Sequence, residues 1–345
     1  FTTKGPEVIE NVLEHPYDGI LIHINTSNSF TPISITPEHP VYCLKNAFTN
    51  DIEPRTKTKT VNYSTIKNKL DRNLIRPEWV DAKDITEDDL LIFSRPQYEL
   101  DNPKLTQDDC YMYGLMLGYG SMENNSNMSY ISTYSDDELH FVEDYLSNKY
   151  IQYTICNDIT DGNLNNTNNA TVVKWAKNLQ LPFKYANLYD INKEKNMHYD
   201  WINLPIEKIK YIVKGLIDIN KPKSHKGVFK TTSKQLVESL RYLLLRLGIP
   251  TRGYTKTQPP KEQLSEYWDM IKTDDTEYSL YIPNAYFTYN NLIFSRISTI
   301  TKTQYTGTLY DLQMRKTHDY MIHNGVVHNG GGRRNGSFAI YLEPW

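Results

Sequence analysis

A mixed fold is predicted, with β-rich segments at the two ends of the chain and an α+β section between them. Two stretches predict the β-rich ends: residues 7–24 alternate apolar and polar side chains, and residues 310–314, 317–322 and 325–329 read as strand, turn, strand, turn, strand. An internal repeat predicts the middle: two glycine-bearing apolar helices recur about one hundred residues apart. Between the first end and the repeat, Arg95-Pro96 to Lys104-Leu105 is rich in Pro, Asp and Asn and marks a domain junction.

The 345 residues suffice for two or three domains. Net charge is -3 and charged residues make up 23%, which excludes both a strongly basic nucleic-acid protein and a disordered chain. Cys43, Cys110 and Cys156 are widely spaced and form no metal-type motif, so they read as buried thiols of a reducing compartment, without structural zinc. No apolar run approaches membrane-spanning length. The expected compartment is the cytoplasm.

In chain order, residues 7–24 read as a hairpin around Pro16-Tyr17-Asp18-Gly19. Residues 77–85 read as a short bend feeding a buried strand at 88–93. In the middle section, Gly114 and Gly215 sit where close helix approach needs a small residue. Thr133-Tyr134-Ser135 and Thr231-Thr232-Ser233 each open an amphipathic helix, and Gly248 stops the second one. The Asn-rich run 157–169 reads as a flexible insertion. Residues 298–300 and 305–307 return the chain to the β-rich part.

The candidate chemistry lies at Val326-Val327-His328-Asn329-Gly330. An asparagine amide nitrogen can attack its own backbone carbonyl, closing a succinimide and cleaving the following peptide bond. A neighbouring imidazole can polarise that carbonyl or protonate the leaving amine. His328-Asn329 is such a pair, although Asn-Gly is equally a hairpin-turn dipeptide, and Asn324-Gly325 and Asn335-Gly336 flank it.

The run from Tyr310-Asp311 through Thr317-His318 to His328-Asn329 resembles the C-terminal splicing motifs of inteins. Upstream, Thr36-Pro37-Glu38-His39-Pro40 matches a second intein motif, Thr-x-x-His-Pro. The resemblance implies an all-β horseshoe of the hedgehog/intein (Hint) type, split in sequence. It gives His39 action on the N-terminal junction, Thr36 support of the distorted amide there, and Asp311, His318, His328 and Asn329 the C-terminal reaction. An intein begins with a Cys or Ser nucleophile. The opening Phe1-Thr2-Thr3-Lys4-Gly5 resembles the pattern just after the family's first strand, so the nucleophile and that strand are expected before Phe1.

The helical repeat, with its Thr-x-Ser elements and Leu-Arg-Leu-Gly-Ile ending, resembles a LAGLIDADG homing endonuclease, an α+β fold of two pseudo-symmetric repeats. In that family an acidic residue at the foot of each central helix holds the divalent metal. Tyr119 and Asn220 occupy those positions here, and neither offers an anionic oxygen at neutral pH. Residues 104–290 carry 21 Lys+Arg against 22 Asp+Glu, so the section has no overall basic charge. Lys221, Lys223, Lys226 and Lys230 read either as a solvated loop or as a remnant DNA face.

Residues 330–345, Gly330 onward, resemble a stretch of the large subunit of class I ribonucleotide reductase. The expected organisation is a splicing domain at 1–98 and 290–329, an endonuclease-like domain at 104–288, and the downstream extein at 330–345. The expected function is protein splicing or autocatalytic C-terminal cleavage in a ribonucleotide reductase precursor, with a degenerate endonuclease. Splicing needs no cofactor or metal, whereas Mg would serve only an active endonuclease. The expected partners are the chain's own exteins and, vestigially, double-stranded DNA. The alternatives are a DNA-binding protein or RNA maturase, and a still active endonuclease using other carboxylates.

Overall fold

A computed structural model describes residues 2–26, 32–47, 63–123, 128–157, 170–176, 180–217, 228–257, 277–282, 286–322 and 325–329. The chain divides into two compact units. The first comprises Phe1–Tyr98, Gly248–Tyr254 and Tyr281–Trp345, and the second Glu99–Leu247 and Thr255–Leu280. Within the expected 104–288 section, Gly248–Tyr254 and the residues from Tyr281 onward thus cluster with the first unit.

The first unit opens with β1 (Ile9–Thr26), β2 (Ile33–Ile35), β3 (Pro40–Leu44), α1 (Tyr63–Asp71), β4 (Glu78–Asp81) and β5 (Leu90–Ser94). The second unit contributes α2 (Gln107–Tyr119), β6 (Gly120–Met122), β7 (Met128–Thr133), α3 (Asp136–Asn148), β8 (Tyr153–Asn157) and β9 (Thr171–Ala176). It continues with α4 (Tyr185–Leu188), α5 (Tyr199–Ile202), α6 (Ile206–Ile217), β10 (Val228–Thr231) and α7 (Lys234–Arg246). After β11 (Arg252–Thr257) and β12 (Glu277–Tyr281), the chain adds β13 (Phe287–Tyr289), β14 (Leu292–Met314), β15 (Asp319–Ile322) and β16 (Gly325–His328).

One antiparallel sheet of nine strands runs β15-β16-β3-β5-β14-β1-β2, with β13 paired to β14 and β4 to β3. Period-two alternation explains why β5 is buried along its whole length. Leu91 enters one apolar cluster with Val41, Cys43, Ile22 and Val327, while Leu90 and Ile92 enter another with Leu44, Ile66 and Phe294. A strand with a core on each face carries apolar residues at every position rather than every second one. Each such side chain contributes about 1.5–3 kcal/mol by burial.

Residues 7–24 are not a hairpin. Strand β1 runs straight through Pro16-Tyr17-Asp18-Gly19 and pairs with β14 from Ile9↔Met314 to Thr26↔Ile297. The turn-forming dipeptides are tolerated because the other edge of β1 pairs with β2 only at Ile22–Ile24, so Pro16 forfeits no ladder bond on that side. The glycines are covered from within the ribbon: a Cβ on Gly19 would meet the Tyr17 ring and one on Gly307 the Tyr305 ring, with Tyr17↔Gly307 and Gly19↔Tyr305 directly opposed.

In the second unit the expected mixed α and β content is present, with an antiparallel sheet β6-β7-β9-β8; a further sheet runs β10-β12-β11. Helix α2 begins in a reciprocal cap: Thr106 Oγ1 accepts from Asp109 N, and Asp109 accepts from Thr106 N. Ser135 and Ser233, the ends of the two Thr-x-Ser segments, cap α3 and α7. Helices α2 and α6 cross at Gly114 and Gly215, where a Cβ on either would fall well under 3.0 Å from the facing backbone, Ile212 O or Tyr111 O. Gly248, at φ +79, follows the end of α7. Of the cysteines, Cys43 and Cys110 are buried, but Cys156 is exposed on β8, contrary to expectation. Asn220, Lys221, Lys223, Lys226, residues 158–169 of the Asn-rich run and residues 330–345 lie outside the described residues.

Candidate functional site

Strand alternation and two tight turns bring the candidate residues of the first unit together. Thr36 and His39 bracket a turn closed by His39 N donating to Thr36 O at 3.1 Å. The turn is anchored by Lys83 N to Pro37 O at 2.9 Å and Ala82 N to His39 O at 3.0 Å. Both side chains are fully buried. Val41, two residues on, pairs with Val327, so the turn abuts the strand that ends in His328.

At the C-terminal end, β15 and β16 form a hairpin with Asp319↔His328 and Tyr320↔Val327 as cross-strand pairs. The ladder extends one residue further, as Asn329 N donates to His318 O at 2.8 Å. His328 Nδ1 lies 2.7 Å from Asn329 O, the carbonyl of the Asn329–Gly330 bond. A carbonyl only accepts, so Nδ1 carries the proton and donates it. The His328 ring is bracketed by the parallel His318 ring at 6.0 Å and the edge-on Trp79 ring at 5.3 Å. Asn329 is buried, and its Oδ1 has no hydrogen-bond partner among the described residues.

His39 joins this cluster electrostatically. Burial pushes its pKa down to about 3; the His328 main chain draws it up and the His328 imidazole, as a like charge, adds to the fall. His39 is therefore a neutral imidazole at physiological pH. Asp311 is buried and accepts from Tyr320 Oη at 3.0 Å and from Leu312 N at 2.9 Å. Burial and the Asp311 charge hold the Tyr320 phenol protonated. Asp311 thus reaches the centre through Tyr320, whose strand neighbour across the hairpin is Val327.

The family model for the intein splicing domain matches residues 2–329. The chain belongs to the intein splicing domain family. No curated protein matches it. Among solved structures, it is similar to mesophilic variants of the homing endonuclease I-DmoI, at 13% identity over 52% of this chain and 89% of that one, with a TM-score of 0.34. It is also similar to I-DmoI in complex with DNA and Mn, at 14% identity over 51% and 89%, TM-score 0.32. A third similarity is to the N-terminal LAGLIDADG domain of DUF199/WhiA, at 8% identity over 53% and 78%, TM-score 0.33.

The contacts around the centre add groups that the motifs alone left out. Glu7 and Asp319 each bind residues from the opposite end of the chain, and Trp79 flanks His328. Asp319 and Trp79 stand inside stretches already distinctive in the sequence, but no spacing rule marks them as neighbours of His328.

In the second unit, Tyr119 ends α2 half-buried, its ring edge-on to Tyr134 at 5.2 Å. Burial, helped by Tyr134 and Glu138, pushes the phenol up to about 12, so it is neutral at pH 7. Beside it lies a group that the sequence did not signal. Lys195 Nζ donates to Met116 O at 2.6 Å and Gly120 O at 2.7 Å, closing the C-terminal end of α2. Burial pulls its pKa down to about 7, against the two carbonyl bonds that favour the charged form. No group of three His, Cys, Asp or Glu side chains suited to a metal occurs among the described residues. No described helix is long and apolar enough to cross a membrane.

Proposed function

We propose that this intein-family chain cleaves itself after Asn329 by asparagine cyclisation. The observation that carries the reading is the His328 Nδ1–H bond to the Asn329 carbonyl oxygen. Asn329 Nδ2 attacks the Asn329 carbonyl carbon while His328 stabilises the charge growing on oxygen. The bond to the Gly330 nitrogen breaks, a proton from Nδ2 passes to that nitrogen, and the products are a C-terminal succinimide and a peptide beginning at Gly330. His318 serves as the second imidazole, Asp311 holds the strand pair through Tyr320, and neutral His39 with Thr36 serves the N-terminal junction.

Ligation to the downstream segment fails at this junction, because Gly330 has no side chain to accept an acyl group. We assign residues 330–345 to the large subunit of a ribonucleotide reductase on their sequence alone. The first unit is a split Hint module. The second is a LAGLIDADG-type unit, a reading supported by its glycine crossing and its serine-capped helices. It is inactive as a nuclease: Tyr119 is a neutral phenol where an anionic metal ligand belongs. The intact scaffold favours DNA binding without cutting as a second reading.

Mass spectrometry of the purified chain tests the main reading. Cyclisation gives two pieces, whereas attack of the Gly330 nitrogen on the Asn329 side chain gives deamidation with the chain intact. Release that persists in Asn329→Ala at an unchanged rate refutes the assignment. Magnesium-dependent double-strand cutting of the uninterrupted reductase gene by the unmodified protein refutes the inactive-nuclease reading, and a salt-sensitive, sequence-selective DNA complex supports the second one.

A further inference from the structure

We propose that Glu7 and Asp319 are positioning residues that fix His318 from both ends of the chain, a role that rests on the cleavage reading above. His318 is exposed, so packing does not set its orientation. What is fixed is the backbone on either side of it. On one side, Thr317 donates its amide to both Glu7 carboxylate oxygens at 3.0 Å and its hydroxyl to Oε2 at 2.5 Å, with Lys316 N donating to Oε1 as well. On the other, Asp319 accepts from Thr3 N and Thr3 Oγ1, each at 2.7 Å.

The two clamps are reciprocal. A carboxylate from the start of the chain holds the residue before His318, and the carboxylate just after His318 holds the start of the chain. The hook that presents Thr3 is itself closed, by Thr2 N to Gly5 O at 2.8 Å and Gly5 N to Thr2 O at 3.1 Å, with Gly5 at φ +115, where a side chain would be strained. The burial cost on the Glu7 carboxylate is outweighed by the Thr317 hydroxyl and the Lys316 and Thr317 amides, which hold its pKa below the usual value. It is therefore charged throughout the neutral range.

The consequence reaches the reacting bond in two short steps. His318 O accepts the Asn329 amide, and Asp319 is the cross-strand partner of His328. Displacing either flank of His318 shifts both the parallel imidazole and the anchor of Asn329. The geometry for cyclisation therefore depends on whether residues 3–7 are docked.

The test uses the full chain, with three readouts: the rate of release of the peptide beginning at Gly330, the ring ¹H–¹⁵N resonances of His318 and His328, and the melting temperature. Thr3→Val and Asp319→Ala are each expected to slow release by about 10- to 100-fold, the scale of a misplaced catalytic group, and to move the His318 ring resonance. The double variant is expected to be no slower than Asp319→Ala alone, because Thr3→Val removes one of the two bonds that Asp319→Ala removes together. Thr317→Ser should keep the rate and Thr317→Val should lose it. Folded Thr3→Val and Asp319→Ala with unchanged release and an unmoved His318 resonance overturn the proposal, as do effects that multiply in the double variant. If Asp319→Ala fails to fold, Thr3→Val, which removes only a hydroxyl, decides alone. If the unmodified chain releases nothing, the cleavage reading fails, and the clamp is judged by the ring resonances: moved in the variants it stands, unmoved it falls.

Discussion

The C-terminal centre of the first unit and the foot of helix α2 in the second are both places where distant residues converge, yet they differ in what converges. Around Asn329 stand two imidazoles, a carboxylate acting through a phenol and an edge-on indole, each from a different strand or turn. At the foot of α2 the neighbours are a neutral phenol and a buried lysine bound to the helix's own carbonyls. The scaffold is tightly specified in both, by strand register in one and by caps and a glycine crossing in the other. Scaffold and reactive groups are thus separable: the caps and glycine crossing that hold the second unit together do not depend on which side chains stand at the foot of α2.

The largest expected effect is at the first site. Asn329→Ala should abolish release, and His328→Ala should slow it by about 10²- to 10⁴-fold, the usual worth of acid–base help. Neither should lower the melting temperature much, because Asn329→Ala also removes a buried, unpartnered carbonyl. A large loss of stability would mean that the residue serves folding instead. At the second site the expectation is reversed. Gly114→Val should cost about 3 kcal/mol, since its side chain has only the α6 backbone to displace, and chemical denaturation measures this. Release at Gly330 should continue in that variant, and its loss would break the separation of the two units.

Acid provides a smaller and more selective probe. His39 has a folded-state pKa of about 3 against an ordinary value of 6.5, so between those pH values the unfolded chain binds the extra proton. Stability contributed by this group is intact above pH 6.5 and is lost as pH falls, at about 1.4 kcal/mol per pH unit. His39→Gln should flatten that part of the pH–stability curve relative to the unmodified chain, and coincident curves would mean that His39 is protonated in the fold. The smallest effect belongs to Tyr119→Phe, which should change stability by no more than about 0.5 kcal/mol and leave any DNA affinity unaltered. A larger change would show that the phenol hydroxyl has a use.

These contrasts track what the sequence made legible. The strands of the C-terminal hairpin were readable from apolar alternation, and the serine caps and glycine helices from local signals that act within a turn or two. Pro16-Tyr17-Asp18-Gly19 misled because a turn-like tetrapeptide can lie in a strand when its glycine is covered by Tyr17 and its backbone is paired, and the pairing strand, β14, lies near the other end of the chain. Clustering of Gly248–Tyr254 with the first unit was hidden for the same reason. In the site, His328 and Asn329 are sequence neighbours and announce themselves. Glu7, Trp79 and Lys195 act through contacts with distant residues, and a lone Glu, Trp or Lys carries no mark of such a contact.

The pairing of β1 with β14 also sets a schedule. Leu13 finds its strand partner at Asp311, so about three hundred residues must leave the ribosome before the ribbon can close. At about 5–20 residues per second, that interval is tens of seconds. Joining strands so far apart in sequence is moreover slow, because the loop is closed before its contacts form. Throughout that time His39 is already synthesised but has no His328 beside it. On the cleavage reading proposed above, the centre assembles only once β14 to β16 have joined the strands made first, so folding of the ribbon sets when the chain can cut itself.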